Sequence, residues 1–336
     1  MNILLTTVGQ WGYFVKYFKD ALGKNGKVFA ANSVKTSTFM SADGYVLTPL
    51  IYDDSYIDFL LDFCVKNNIT ALLSWFDMDL PVLAKNKDRF IKKNILPIIS
   101  DESVIRLCND KWETYLFLAS MDLKQPKTYV DLNIVKHDVA LGELSFPVIL
   151  KPRWGVSSAG IYQANTIEEV DILYEKIDRL IFNSFLKYQS QGNEDASIII
   201  QEKLKGQEHG LDIFNDLNGN YVTSIAKRKF EMQSGATSIS TIVPVEPFET
   251  IAKTISTRLK FIANMDVDCF VTETGEIIIL EMNCRFGGQY PFAHLAGANF
   301  PKQIIEWLIG MPTSAENISY KVGVKGYKDM DLVLRY

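Results

Sequence analysis

Between Val267 and Asn283 two β-rich runs flank Thr274-Gly275, and both runs carry acids where a buried strand would have none. The spacing predicts a hairpin with a two-residue turn. In that register Glu273 pairs with Glu276, Phe270 with Ile279, Asp268 with Glu281 and Asp266 with Asn283. Directly opposed residues hold their Cβ atoms roughly 4.5–5.5 Å apart, where like charges destabilise a sheet. Glu281 leaves the apolar run Ile277–Leu280, so it ends a buried strand rather than a solvated one. Two opposed carboxylates with an amide oxygen beside them invite a hard cation. Magnesium takes a few carboxylates and keeps positions open for phosphate oxygens. The bland alternative is a solvated strand end with unrelated acids, and the apolar run before Glu281 weighs against it.

The rest of the chain supplies two patterns. Over the first hundred residues strands alternate with helices. Strands are expected at Ile3–Thr6, Lys27–Ala31, Ala71–Ser74 and Asn94–Ile99, and helical spacing covers Phe14–Leu22 and Tyr56–Val65. A further helix starts at Asp79-Leu80-Pro81, with Asp79 as a candidate cap. This rhythm reads as a parallel sheet covered by helices. After Asp101 come short helices at Glu102–Cys108 and Trp112–Met121. Short strands are expected at Thr128–Val130, Val148–Lys151, Ile161–Gln163 and Ser197–Glu202, with a long helix from Thr166 to about Tyr188. Longer strands follow at Gly210–Phe214, Tyr221–Lys229, Val267–Thr272 and Glu276–Asn283. Mixed antiparallel sheets flanked by helices are an α+β signature, so the fold class is α/β followed by α+β.

Composition narrows the partners. The 336 residues are 47% hydrophobic and 22% charged, ordinary for a globular enzyme of two or three subdomains. A net charge of -5 argues against phosphate-neutralising nucleic-acid binding and against docking on an anionic membrane. No apolar run reaches the roughly 18 residues of a membrane span. Cys64, Cys108, Cys269 and Cys284 are scattered without a C-x-x-C pair. That pattern favours reduced thiols in a cytoplasm over a zinc site or a disulfide framework. The opening Met1–Thr6 has neither the basic start nor the long apolar core of a signal peptide.

Several further segments suit a nucleotide. Phe146–Pro152 is an apolar strand ending in Lys151, followed by a small-residue loop containing Gly155, Ser157, Ser158 and Gly160. Such a loop can turn backbone N–H groups on phosphate oxygens while the lysine adds charge. Taken alone, Lys151 reads equally as a strand-end lysine whose head reaches solvent. Gln201-Glu202-Lys203-Leu204, leaving a strand and turning at Gly206, can offer backbone groups to adenine with Leu204 on the ring and Glu208 on ribose. By itself the segment also reads as an exposed turn. Lys227-Arg228-Lys229 can meet a phosphate or a substrate carboxylate, or form a solvated cluster. Arg285, just beyond the acidic hairpin and before Gly287-Gly288, is placed to stabilise charge during phosphoryl transfer.

In this order the segments resemble the ATP-grasp superfamily, and most closely the stand-alone proteins similar to half of the carbamoyl phosphate synthetase large subunit. The string Glu281-Met282-Asn283-Cys284-Arg285-Phe286-Gly287-Gly288 is the most specific part of a match covering Met1 to about Leu308. The resemblance implies a Rossmann-like pre-ATP-grasp α/β domain over 1–101 and an ATP-grasp domain over 102–310. A mobile lid spans about 113–200, and 311–336 forms a tail packed on the core. It assigns Lys111 and Lys151 to phosphates, Gly155, Ser157 and Ser158 to the lid loop, Gln201, Glu202 and Leu204 to adenine, and Glu208 to ribose. Asp268, Glu281 and Asn283 become magnesium ligands, with manganese as a substitute. Arg285 and Lys229 become catalytic cations, although the sequence does not decide which of 227–229 reaches the γ-phosphate. Asp77, Asp79 and the Gly9–Gly12 turn would border the acceptor pocket.

The implied reaction joins a small-molecule carboxylate to an amine through an acyl phosphate, releasing ADP and phosphate, in a cytoplasmic protein expected to form symmetric dimers. A kinase of bicarbonate or carbamate and a non-catalytic ATP-binding module are the alternatives. A single copy of the unit without a glutaminase segment argues against a full synthetase. A dehydrogenase is disfavoured because Gly9 and Gly12 do not make G-x-G-x-x-G and no acid ends the second strand.

Overall fold

The computed structural model describes residues 1–156, 158–233 and 236–329. Its strands form three sheets, taken here in chain order. The first comprises β1 (Asn2–Thr6), β2 (Lys27–Asn32), β3 (Gly44–Leu47), β4 (Ile69–Ser74) and β5 (Leu96–Pro97), ordered β3-β2-β1-β4-β5 and parallel throughout. Residues such as Ile3, Leu4 and Leu5 are fully buried because helices cover both faces. The order reverses between β1 and β4, so the loops leaving those two strands meet. The expected strand Asn94–Ile99 shrinks to Leu96–Pro97, with Pro97 unable to donate to a ladder. The edge strand β3, with Tyr45 and Leu47 exposed, lay outside the sequence prediction.

The second sheet holds β6 (Thr128–Tyr129), β7 (Val148–Pro152), β8 (Tyr162–Ala164) and β9 (Ile198–Glu202), antiparallel and ordered β6-β9-β7-β8. The helix expected from Thr166 to about Tyr188 is Ile167–Phe182, capped by the Thr166 hydroxyl. It stops at Asn183, after which Leu186 turns into the core and only the short helix Lys187–Ser190 follows. The helix Leu132–Ala140, with only Val135 buried, carries too weak an apolar stripe to be read from sequence.

The third sheet is antiparallel and holds β10 (Gln207–Asn215), β11 (Tyr221–Gln233), β12 (Ala236–Val243), β13 (Asn264–Val271), β14 (Ile277–Asn283) and β15 (Lys325–Tyr327), ordered β14-β13-β10-β11-β12-β15. Residues 330–336 of the expected tail lie outside the described residues, while β15 pairs with β12 and Lys328 donates to the Gly288 carbonyl.

One core joins the first sheet to the third. Phe14, on the helix Gly12–Leu22, lies 4.8 Å from Trp75, 5.4 Å from Phe286 and 5.8 Å from Tyr290, ring centre to ring centre. Phe286 follows Arg285, so this aromatic cluster presses the loop after β14 against the loop after β4.

Candidate functional site

The acidic hairpin forms with two compensating departures from the expected register. The loop between Thr272 and Glu276 has three residues rather than two: Thr272 N–H donates to Glu276 O at 2.9 Å, and Gly275 takes φ +84°. A three-residue hairpin wants its glycine in that conformation. Glu273 and Glu276 are therefore not paired, and Phe270 faces Ile278 instead of Ile279. A bulge between Asp268 and Cys269 adds one residue back on β14. The two shifts cancel, so Asp268 opposes Glu281 and Asp266 opposes Asn283, as the simple register predicts.

Glu281 and Asn283 line a small cleft together with Lys111, Lys151, Gly155, Ser158 and Arg285. Half of the expected site residues thus converge there. Asp110 makes this possible. Its carboxylate caps the helix Lys111–Ala119 by accepting from the Trp112 and Glu113 N–H groups, and it takes two 2.7 Å bonds from Arg153. The start of that helix and the end of β7 are tied, and Lys111 and Lys151 are held over one carboxylate. Burial alone would raise the Glu281 pKa, but the Lys111 and Lys151 ammoniums outweigh it and bring it down to about 2. Burial pushes Lys151 down to about 8 despite Glu281. Asn283 donates from Nδ2 to Glu281 Oε1 at 3.3 Å, which leaves its amide oxygen available as a ligand.

Asp268 sits on the same hairpin but not in the cleft lining. Its Oδ1 accepts from Lys229 Nζ at 2.6 Å and from Gln289 Nε2 at 3.0 Å. Lys229 also donates to Glu208 Oε1 at 2.8 Å. Burial opposes the Lys229 charge, and Asp268 and Glu208 more than offset it, lifting its pKa above the ordinary lysine value. Burial lifts Asp266 and Asp268 above the usual carboxylate value, against the pull of Arg285 on the first and Lys229 on the second. Of the basic stretch, Lys227 is sealed in an ion pair with Asp212, both side chains fully buried. Arg228 is exposed, its guanidinium 5.1 Å from the Phe230 ring centre. Only Lys229 is positioned beside the acidic hairpin.

The segment Gln201-Glu202-Lys203-Leu204, expected to meet adenine, is not part of the cleft lining. The Gln201 side chain donates to Thr128 Oγ1 at 2.8 Å, and Glu202 Oε1 accepts from the Lys127 N–H at 2.8 Å. Both side chains hold β9 to its neighbours, which leaves backbone groups and Leu204 for any ligand. Ser157 lies outside the described residues. Among the described residues no three His, Cys, Asp or Glu side chains converge as a ready metal cluster.

Sequence reasoning missed Asp110, Arg153, Asp266 and Gln289. Asp266 and Asp77 grip Arg285 from opposite sides: Nη1 reaches Asp266 Oδ2 at 3.2 Å, while Nε and Nη2 reach Asp77 Oδ2 at 3.3 and 2.9 Å. Asp79 is not a helix cap. Its carboxylate is buried among the hydroxyls of Thr6, Thr7, Tyr56 and Ser74. Gln289 crosses β10 at Gly210 to bond both Asp266 and Asp268. A Cβ on Gly210 would overlap the Gln289 amide. Gly210→Ala should therefore cost about 1–3 kcal/mol by overpacking and loosen both aspartates. Denaturant unfolding measures this, and unchanged stability would show that Gln289 is not held there.

Residues 3–99 match the model of the PylC-like N-terminal domain, and residues 144–291 match that of the ATP-grasp domain. Among solved structures, the L-amino acid ligase from Bacillus licheniformis superposes with a TM-score of 0.74 at 16% identity, covering 98% of this chain and 81% of that one. The biotin carboxylase domain of the 2-oxoglutarate carboxylase from Hydrogenobacter thermophilus, complexed with MgADP, ADP and bicarbonate, gives 0.72 at 16% identity, covering 95% and 72%. The N5-carboxyaminoimidazole synthetase from Staphylococcus aureus, complexed with ADP, gives 0.72 at 14% identity, covering 96% and 79%. At these identities the likeness is one of fold. No curated protein matches the sequence. Among the described residues no helix is long and apolar enough to cross a membrane.

Proposed function

This chain carries an ATP-grasp domain behind a PylC-like N-terminal domain, and on that premise we propose that it is an ATP- and magnesium-dependent carboxylate–amine ligase. One observation carries the reading. Lys111 and Lys151, nearly withdrawn from water, share a single carboxylate, Glu281, on the wall of the cleft. Two ammoniums over one carboxylate make an anion site, and the opposed Asp268–Glu281 pair adds a cation site at its edge. A nucleotide triphosphate with its divalent ion satisfies both. The solved structures of the same fold described above include complexes with ADP and with MgADP.

The donor set fits magnesium: two carboxylates and an amide oxygen, all hard ligands, leave coordination positions for phosphate. Glu281, Asn283 and Asp268 would hold the ion, which when bound neutralises charge on the phosphates during transfer. Asp268 turning to the metal would release Lys229 from one of its two carboxylates and free a cation for the γ-phosphate. Lys111 and Lys151 hold the outer phosphates. Arg285, fixed by Asp77 and Asp266, faces the charge that develops as a substrate carboxylate oxygen attacks the γ-phosphorus and the bond to ADP breaks. The amine gives up any ammonium proton, its nitrogen attacks the acyl carbon, phosphate leaves and the nitrogen loses a further proton as the amide forms. The segment Gly155–Gly160, within a lid of about 113–200, would exclude water from the acyl phosphate. The division into units at 101 and 310 belongs to the same reading.

Trapping tests it. With ATP, magnesium and hydroxylamine, a panel of amino acids and small carboxylates should include at least one acid that yields a hydroxamate and one ADP per product. ADP formation without any hydroxamate across the panel would argue against an acyl phosphate.

A further inference from the structure

Resting on the ligase reading above, we propose that Asp77 selects the amine-bearing substrate, its Oδ1 accepting an N–H from a primary amine carried as an ammonium. Asp77 follows β4 by three residues, on the loop that meets the loop after β1. The strand order of the first sheet reverses between these strands, and open parallel sheets hold ligands in the crevice beyond the strand ends at such a reversal. Arg285 forms the opposite side of that crevice.

The two oxygens of Asp77 have different surroundings. Oδ2 accepts both bonds from Arg285. Oδ1 is buried and has no hydrogen-bond partner among the described residues. Buried polar atoms almost always have one, so the exception marks a place where a donor arrives from outside the chain. The residue lines both arms of the cleft, one with Lys111, Glu281 and Asn283, the other with Asn109, Trp154 and Gln189. Water alone would satisfy the oxygen but not the charge. Asp77 and Asp266 share one guanidinium, which leaves a negative charge next to the phosphate subsite. That charge repels a further phosphate or carboxylate and attracts a cation. An ammonium supplies both the donor and the compensating charge.

The test is the melting temperature of the full chain saturated with magnesium and a non-hydrolysable ATP analogue. Glycine, L-lysine, L-ornithine and putrescine are each added alongside an amine-free counterpart: acetate, hexanoate, pentanoate and butanediol. At least one amine should raise the melting temperature where its counterpart does not. Asp77→Asn should weaken that amine by about tenfold or more, the loss of a charge-assisted hydrogen bond, while the nucleotide shift persists. Asp62→Asn, at an exposed acid on the helix Tyr56–Lys66 outside both arms of the cleft, is the control and should keep the amine response. No amine response in a chain that responds to nucleotide overturns the proposal. So do equal binding of the counterparts and an equal loss in the control variant. A chain that gives no nucleotide shift overturns the ligase reading, and this one with it.

Discussion

Replacing Glu281 with alanine is expected to lower magnesium-dependent ADP formation by at least roughly a hundredfold to a thousandfold, the range seen when one preorganised electrostatic group is lost. The same change should leave metal-free nucleotide binding intact or tighter, because Lys111 and Lys151 lose the carboxylate that now offsets them. This opposite movement separates a metal ligand from a residue that merely holds the fold. A general collapse of the site would weaken both properties together. Glu281→Gln keeps the shape and one oxygen but not the charge, and should behave as the alanine variant does in turnover. Steady-state phosphate release against magnesium concentration, with a nucleotide titration in chelator, measures both sides. Turnover unchanged by either variant would remove Glu281 from the chemistry.

The largest expected effect on stability lies one layer below. Lys227 and Asp212 form an ion pair with neither side chain reaching solvent, and Asn264 donates to the second oxygen of Asp212 at 3.2 Å. Asp212 also faces Asp266 directly across β10 and β13. Two acids tolerate that position because Lys227 pairs with one and Arg285, shared with Asp77, pairs with the other. Lys227→Met would strand a buried carboxylate opposite a second one, and should destabilise the chain by about 3–5 kcal/mol. Adding Asp212→Asn should recover much of the loss, since a neutral amide leaves no bare charge. Denaturant unfolding of the single and double variants decides the point. Equal losses would mean that the lysine acts through packing and not through its charge.

The pairing of Asp268 with Glu281 and of Asp266 with Asn283 was legible in the sequence, for identifiable reasons. A strand pair alternates strictly, so one correct pairing fixes every other, and the apolar run before Glu281 marks which side is buried. Even so, the turn and the bulge each departed by one residue, and the acids met only because the departures cancel. The β1 and β4 strands were visible because burial on both faces makes them continuous apolar runs. Among the missed elements, β3 and the helix Leu132–Ala140 bury few residues and so carry little periodic signal. The missed residues share another cause. Asp110, Arg153, Asp266 and Gln289 act on groups 19 to 43 residues away, or on both sides of a strand crossing. Their spacing in the chain carries no trace of those partners. Asp79 shows the converse: its local setting before Pro81 suggests a cap, and only the packing of β1 against β4 reveals the four hydroxyls it binds.

The central claim is that Glu281, Asn283 and Asp268 hold a divalent ion against the outer phosphates of ATP. Manganese in place of magnesium, with a non-hydrolysable ATP analogue, permits a direct reading by pulsed electron–nuclear double resonance. The account predicts phosphorus hyperfine couplings in the wild-type protein that disappear from the protein-bound signal in Glu281→Ala. A bound manganese signal without phosphorus coupling in the wild type, or one indifferent to Glu281, would contradict it.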